Sequence, residues 1–187
     1  MDRELLNSNE LKEVKRTNEF YLETERLKLL PLNAKSLALA IEDYSAMQVE
    51  LGLNVNKTII DDEELLYAMK VRLARVLENK ENYIWFTNWA IVQKESNSII
   101  GYIILKGFPN NSGEVIIGYG IEDNYKRNGY ATEAIKSLIQ WMFLNPKVLT
   151  VIADTEKTNL PSCKLLERLG AVRFKEDEEL VWWKIEK

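Results

Sequence analysis

The stretch Gly113-Glu-Val-Ile-Ile-Gly-Tyr-Gly-Ile-Glu-Asp-Asn-Tyr-Lys-Arg-Asn-Gly-Tyr-Ala-Thr-Glu-Ala134 decides how this chain folds. Its apolar run Val115 to Ile117, carried on to Ile121, reads as a buried strand. Polar residues Glu122 to Asn128 break it. Ala131, Ala134, Ile135, Leu138, Ile139 and Met142 then recur at helical spacing, which predicts a helix from Ala131 to Leu144, ended by Asn145-Pro146. The next apolar run, Val148 to Ala153, predicts a second strand. A strand–helix–strand unit of this kind is a crossover, so its strands run parallel. Ligands of such units bind at the carboxyl ends of the strands. Both the Lys126–Gly129 turn and the Asp154–Ser162 segment emerge there.

Working outward, Thr24 to Leu32 suits a first strand ending at Pro31, and Asn33 reads as the N-cap of a helix over Ala34 to Tyr44. A second helix is expected from Asp61 or Asp62 to Leu77, with Leu65, Leu66, Met69, Leu73, Val76 and Leu77 on one face and an acidic start suited to the helix dipole. Trp85 to Val92 and Ile99 to Leu105 are rich in strand formers, and the polar Gln93 to Ser98 between them makes a hairpin. Gly107 to Gly113 reads as a turn. Pro161 to Leu169 forms a helix with Gly170 at its C-terminal glycine position, and Ala171 to Phe174 with Leu180 to Ile185 closes the chain as a hairpin. Residues 1–20 are polar and read as a tail or frayed helix, leaving 21–187 as one mixed α/β domain without repeats or linkers.

The composition excludes several chemistries. The chain has 187 residues and no histidine, so serine–histidine or cysteine–histidine nucleophiles and histidine-based metal sites are ruled out. General base work must fall to a carboxylate, a tyrosine, a water chain or the substrate itself. A net charge of −4 argues against a broad nucleic-acid-binding face. No apolar stretch is long enough to span a bilayer, and the charged start lacks the apolar core of a secretion signal. The single cysteine, Cys163, allows no internal disulfide and suits a reducing cytoplasm. Without a histidine to activate it, Cys163 reads as a buried helix residue. The five tryptophans read as core or one wall of a cleft, and Glu176 to Glu179 as a solvated hairpin turn.

The turn in the opening stretch carries the chemistry. Lys126, Arg127 and Gly129 stand where a helix begins, and free backbone N–H groups beside cations make an anion site. The anion suited to so short a loop is a phosphate or pyrophosphate, which points to a phosphate-bearing cofactor. The turn is neither a P-loop nor a dinucleotide-binding glycine motif, so a nucleotide-binding α/β protein is the poorer reading. Gly118 and Gly120 share one face of their strand and leave bare backbone there, as packing against a helix or close approach by a ligand requires.

Lys126-Arg-Asn-Gly-Tyr-Ala131 resembles the Q/R-x-x-G-x-G/A signature of the GNAT superfamily of acetyl-CoA-dependent N-acetyltransferases, with Lys126 in the Gln/Arg place. Asn159-Leu-Pro-Ser-Cys-Lys-Leu-Leu-Glu-Arg-Leu-Gly170 resembles a second signature of that superfamily, with Ala171 replacing the usual aromatic. Leu22 to Leu32 is similar to the opening strand of its RimJ/RimL-like branch. The resemblance covers about residues 22 to 186 and implies an α/β (α+β) fold with a mostly antiparallel sheet, flanked by helices. It also implies a parallel strand pair splayed at the cofactor site. Acetyl-CoA is implied as co-substrate, without a metal. Its diphosphate is expected on Lys126, Arg127, Asn128, Gly129, Tyr130, Ala131 and Thr132, and its pantetheine arm near Ile121, Asn159 and Ser162.

The implied reaction moves an acetyl group directly to a primary amine, a protein N-terminus or a small molecule. Ser162 would protonate or hydrogen-bond the departing thiolate. The branch often places a carboxylate where this chain has Ile116, so Glu114, one pleat earlier, is the expected base, acting through water, and Glu122 an alternative. An α-amino group is roughly 10–20% neutral at pH 7 and a lysine below about 0.1%, so a site without a strong base favours α-amines or amines of low pKa. The missing acid also keeps open a non-catalytic acyl-CoA-binding module that senses cofactor or presents a partner surface. Partners are then an amine acceptor, with a homodimer as a candidate assembly and neither nucleic acid nor membrane.

Overall fold

The computed structural model describes residues 20–57 and 59–187, so the expectation for the N-terminal extension lies, apart from Phe20, outside the described residues. The elements in chain order are β1 (Leu22–Glu23), β2 (Leu27–Pro31), α1 (Ala34–Glu42), α2 (Tyr44–Glu50), α3 (Glu63–Glu78), a 3₁₀ segment (Lys80–Trp85) and β3 (Asn88–Gln93). Then come β4 (Ser98–Leu105), β5 (Glu114–Ile121), a short 3₁₀ turn (Asp123–Tyr125), α4 (Tyr130–Met142), β6 (Thr150–Glu156), α5 (Leu160–Arg168), β7 (Val172–Glu176) and β8 (Leu180–Glu186). The strands form one 8-stranded sheet in the order β1-β2-β3-β4-β5-β6-β8-β7. Only β5 and β6, the strands joined by the α4 crossover, are parallel.

Each face of the sheet buries its own cluster. One face packs Trp89, Ile91, Ile103, Ile117, Val151 and Trp183 against the apolar stripes of α4 and α5, which contribute Ile135, Leu138, Met142 and Leu166. The other packs Ala90, Val92, Ile99 and Tyr102 against Leu37, Met47, Met69 and Val76 of α1, α2 and α3. Among the described residues, no side chain of β5, β6 or β8 joins this second cluster. The three helices therefore cover one half of their face and leave the other half open.

The expected hairpins, helix caps and crossover are present. Asn33 accepts from the Ser36 N–H and Gly170 turns with φ +80° after α5. Four expectations need correction. The helix over Ala34 to Tyr44 is two helices, because Asp43 takes an extended conformation (φ −148°, ψ 97°) and its carboxylate caps α2 through the Ala46 N–H. Trp85 belongs to the 3₁₀ segment and not to β3, and its ring packs 4.8 Å from Trp141 and 5.3 Å from Phe108. Strand β6 begins and ends later than the apolar run, because pairing with β8 carries it through Asp154, Thr155 and Glu156. Strand β5 is buried on one face only: Val115 and Ile117 are covered and Ile116 is 40% exposed.

The β4–β5 contact is unusually close at Gly101, where a Cβ would lie 2.3 Å from the Gly120 carbonyl oxygen and 3.0 Å from the Ile121 Cα. Only glycine lets the two backbones meet there. Replacing it, Gly101→Ala, is expected to lower unfolding stability by about 1–3 kcal/mol. Urea titration checks this, and wild-type stability would show that the strands have room to separate.

Candidate active site

Strands β5 and β6 pair only from Glu114–Thr150 to Ile117–Ala153 and then part. Beyond that point β5 stays hydrogen-bonded to β4 through Gly118–Ile104 to Ile121–Gly101, and β6 stays paired with β8 through Asp154–Trp182 to Glu156–Leu180. Each strand is held from its outer side. The edge of Gly118–Ile121 facing β6 is left without a strand partner, so the gap is bounded by free backbone N–H and C=O groups.

The turn after β5 aims a second set of backbone donors at the same end of the sheet. Arg127 (φ 65°) and Gly129 (φ 80°) both take left-handed backbone, and Gly129 opens α4 without any side-chain cap. The other four α-helices are capped by Asn33, Asp43, Asp62 and Asn159. Among the described residues, the N–H groups of Arg127 to Thr132 donate to no protein acceptor. Free donors, alternating backbone hand and the positive end of a helix together form an anion-binding concavity.

Of the two cations expected here, Lys126 is paired with Asp123 and holds the Asp123 carboxyl below its usual range. A third cation, Arg26, was not read from the sequence. Its Nη1 donates to the Asn128 carbonyl at 3.0 Å, its Nε donates to Glu133 at 2.7 Å, and its guanidinium stacks 4.5 Å from the centre of the Tyr130 ring. Burial works to raise the Glu133 carboxyl, but bonds from Thr24, the Arg26 amide and the Arg26 guanidinium outweigh it and leave it below the ordinary value. Gln93 donates to the Tyr130 hydroxyl at 2.7 Å. The first turn of α4 is thus tied to the neighbouring ends of β2 and β3, with the N–H groups of Tyr130 to Thr132 left free.

On the α5 side, Asn159 caps its helix by accepting from the Ser162 N–H at 3.2 Å, and Ser162 Oγ lies 2.6 Å from the Tyr119 hydroxyl. The pair joins β5 to α5 at the gap. Burial pushes the Tyr119 phenol above its ordinary value, against a smaller opposing effect of the Ser162 bond, so it stays protonated at neutral pH. Cys163, next in the chain, is buried.

The open face carries the carboxylates. Glu114 sits at the far end of β5, its Oε2 accepting from Asn110 Nδ2 at 2.8 Å, roughly 13 Å along the strand from Gly118. Glu122 lies at the near end. Burial pushes its carboxyl up, Lys57 at 3.9 Å pulls it down, and Asp61 and Asp123 push it up again. Behind it the Tyr44 and Tyr102 hydroxyls bond at 2.8 Å, and burial raises Tyr44 to about 12. Between these ends, the Lys106 side chain passes over Gly118, and its Nζ meets Asp154 Oδ1 at 3.3 Å. Sequence reading missed this pair, which no local motif announces.

Among the described residues no group of three or more His, Cys, Asp or Glu could hold a metal ion, and no helix is long and apolar enough to cross a membrane. The acetyltransferase (GNAT) domain family matches residues 26–172. The chain is 29% identical over 163 residues to the uncharacterized N-acetyltransferase YjdG of Bacillus subtilis, covering 87% of this chain and 95% of that protein. The ribosomal-protein-S5-alanine acetyltransferase of Vibrio fischeri has the same fold, with TM-score 0.66, 17% identity and coverage of 90% of this chain and 97% of that one. So does RimL, the ribosomal L7/L12 alpha-N-protein acetyltransferase, solved with coenzyme A, at TM-score 0.64 and 9% identity over 89% of this chain and 98% of that one. The fold is therefore shared with these two acetyltransferases. With more than half of its length matched and the parted strand pair in place, the chain belongs to the GNAT acetyltransferase family.

Proposed function

We propose that the protein transfers an acetyl group from acetyl-CoA directly to a primary amine, with no acyl-enzyme between. The observation that carries this reading is the juxtaposition of the parted strand edge at Gly118–Ile121 with the uncapped start of α4. The donor set fits such a molecule. Free amides of Arg127 to Thr132 suit a diphosphate, and the strand edge suits an extended arm bearing amides. Each charge-assisted bond at the turn contributes about 1.5–3 kcal/mol. Arg26 fixes the turn for that purpose, and Arg127 and Lys126 add positive charge. When bound, acetyl-CoA supplies the activated acyl group.

The chain's own residues do the rest. Backbone N–H groups of the Gly118–Ile121 edge stabilise negative charge on the thioester oxygen. Ser162, bonded to the protonated Tyr119, delivers a proton to the departing thiolate. Asn159 holds Ser162 in place through the helix start. Glu114, the base expected from the sequence, stands beside Asn110 and would reach the acceptor only through a long water chain. Holding two substrates in line is the main source of rate.

The RimL and S5 acetyltransferases, named for ribosomal proteins, support a protein N-terminus as acceptor, and a small-molecule amine is the other class we retain. The one buried thiol and the lack of a membrane-crossing helix among the described residues fit a cytoplasmic enzyme, and a homodimer is a candidate assembly. A second reading, an acyl-CoA-binding module without turnover, rests on Ile116, an exposed apolar side chain where an acid is expected.

Coenzyme A release across a panel of peptides with free N-termini and small amines separates the two. Turnover supports the enzyme, and acetyl-CoA binding with no turnover on any acceptor supports the module. Gly129→Glu adds a carboxylate where the phosphates belong, at a left-handed position whose Cβ would sit 3.5 Å from the Arg26 guanidinium. Calorimetry should show acetyl-CoA binding abolished with the circular dichroism spectrum kept; unchanged affinity would remove the turn from the site. Ser162→Ala is expected to lower kcat about 10²-fold or more with little change in acetyl-CoA affinity. An undiminished rate would end its role as proton donor.

A further inference from the structure

Ile116 and Ile152 pair across the parallel strands and share the open face of the sheet. Two residues on, the same alternation puts Gly118 and Asp154 level with each other on that face, at the point where β5 and β6 part. Directly opposite Asp154 on β8 is Trp182, and cross-strand partners point the same way. A carboxylate therefore stands at the mouth of the gap between bare glycine backbone and an indole ring. No helix of the second cluster covers it.

Two of the chain's own primary ammonium groups already occupy this trough. Lys106 Nζ lies 3.3 Å from Asp154 Oδ1, with its stem crossing Gly118, and Lys175 Nζ lies 4.4 Å from the centre of the Trp182 ring. A carboxylate and an aromatic face are the two groups that recognise an alkylammonium. The acceptor has to reach the gap from this side, since α4 and α5 cover the other.

We propose that Asp154 is the carboxylate that receives the acceptor ammonium and takes its proton, with Lys106 as its counter-ion until the acceptor displaces it. The inference rests on the acetyltransferase reading above and supplies the acid that Ile116 lacks. An ammonium proton passes to Asp154, directly or through one water. The freed lone pair forms the N–C bond to the acetyl carbon, and the C–S bond breaks with its electron pair going to sulfur. Of the two protons that the nitrogen gives up, one goes through Asp154 to water. The other makes good the proton that Ser162 and Tyr119 pass to the thiolate. Acceptors must then arrive as cations, and neutral amides or alcohols of the same shape are poor ligands.

The opposite signs expected for the two members of the ion pair make the test. With an amine that the full-length wild-type protein acetylates, Asp154→Asn should lower kcat/KM about 100-fold or more while leaving acetyl-CoA affinity unchanged. Lys106→Met keeps the stem over Gly118 and removes the competing charge, so acceptor KM should fall about 2- to 5-fold, the weight of a half-exposed ion pair. A pair that only braces the sheet would weaken thermal stability in both variants and move KM in neither. Unchanged kcat/KM in Asp154→Asn, or a raised acceptor KM in Lys106→Met, overturns the assignment while turnover by the wild type keeps the acetyltransferase reading. No turnover by a wild type that binds acetyl-CoA sinks the enzyme reading and this inference together.

Discussion

A parallel strand pair that stops pairing halfway is the constraint around which this molecule is organised. After Ile117 and Ala153 the backbones of β5 and β6 diverge, and the polar groups along Gly118 to Ile121 lose a neighbour on that side. Backbone donors and acceptors away from water need partners, so an open edge inside a sheet is costly unless something else fills it. The protein keeps it open by securing each strand from behind, β5 by β4 and β6 by β8. Gly101 lets β4 lie close behind β5, where a Cβ would meet the Gly120 carbonyl. An extended ligand arm with its own amides would satisfy the edge as a further strand does.

The same economy governs charge. The chain is net acidic, with formal charge −4, yet it gathers unpaired backbone amides at the start of α4. These backbone dipoles need no basic face. Gly129 leaves α4 uncapped, and Arg26 bonds to the Asn128 carbonyl and to Glu133. That ties the turn to β2 through acceptors and leaves the amides of Arg127 to Thr132 free. Across the gap, Asn159 caps α5 and so orients Ser162 toward Tyr119. One helix start is left uncapped and the other is closed by its own asparagine.

Much of this was legible in the order of residues. The crossover from β5 to β6, the β3–β4 hairpin, the Asn33 and Asn159 caps and the Gly170 terminator follow from periodicity and local hydrogen-bonding rules that act within a few residues. The turn at Lys126 to Ala131 was legible for the same reason. Where reading failed, a nonlocal partner or an unread cap had decided the outcome. Asp43 offered a cap signal inside an apolar period that seemed continuous, and the cap won. Trp85 had strand propensity but found its place among Trp141 and Phe108. Strand β6 ran past its apolar residues because β8 was there to pair with Asp154, Thr155 and Glu156.

By itself, the sequence determined the crossover architecture, the glycine turn that opens α4 and the exclusion of histidine chemistry, because each depends on neighbours along the chain or on composition alone. The tertiary structure alone decided which polar groups meet. Arg26 reaches Asn128 across 102 residues, Tyr119 reaches Ser162 across 43, and Lys106 reaches Asp154 across 48. Pairs so far apart in sequence leave no periodic trace. They exist because the sheet and the helices packed on it bring distant segments side by side.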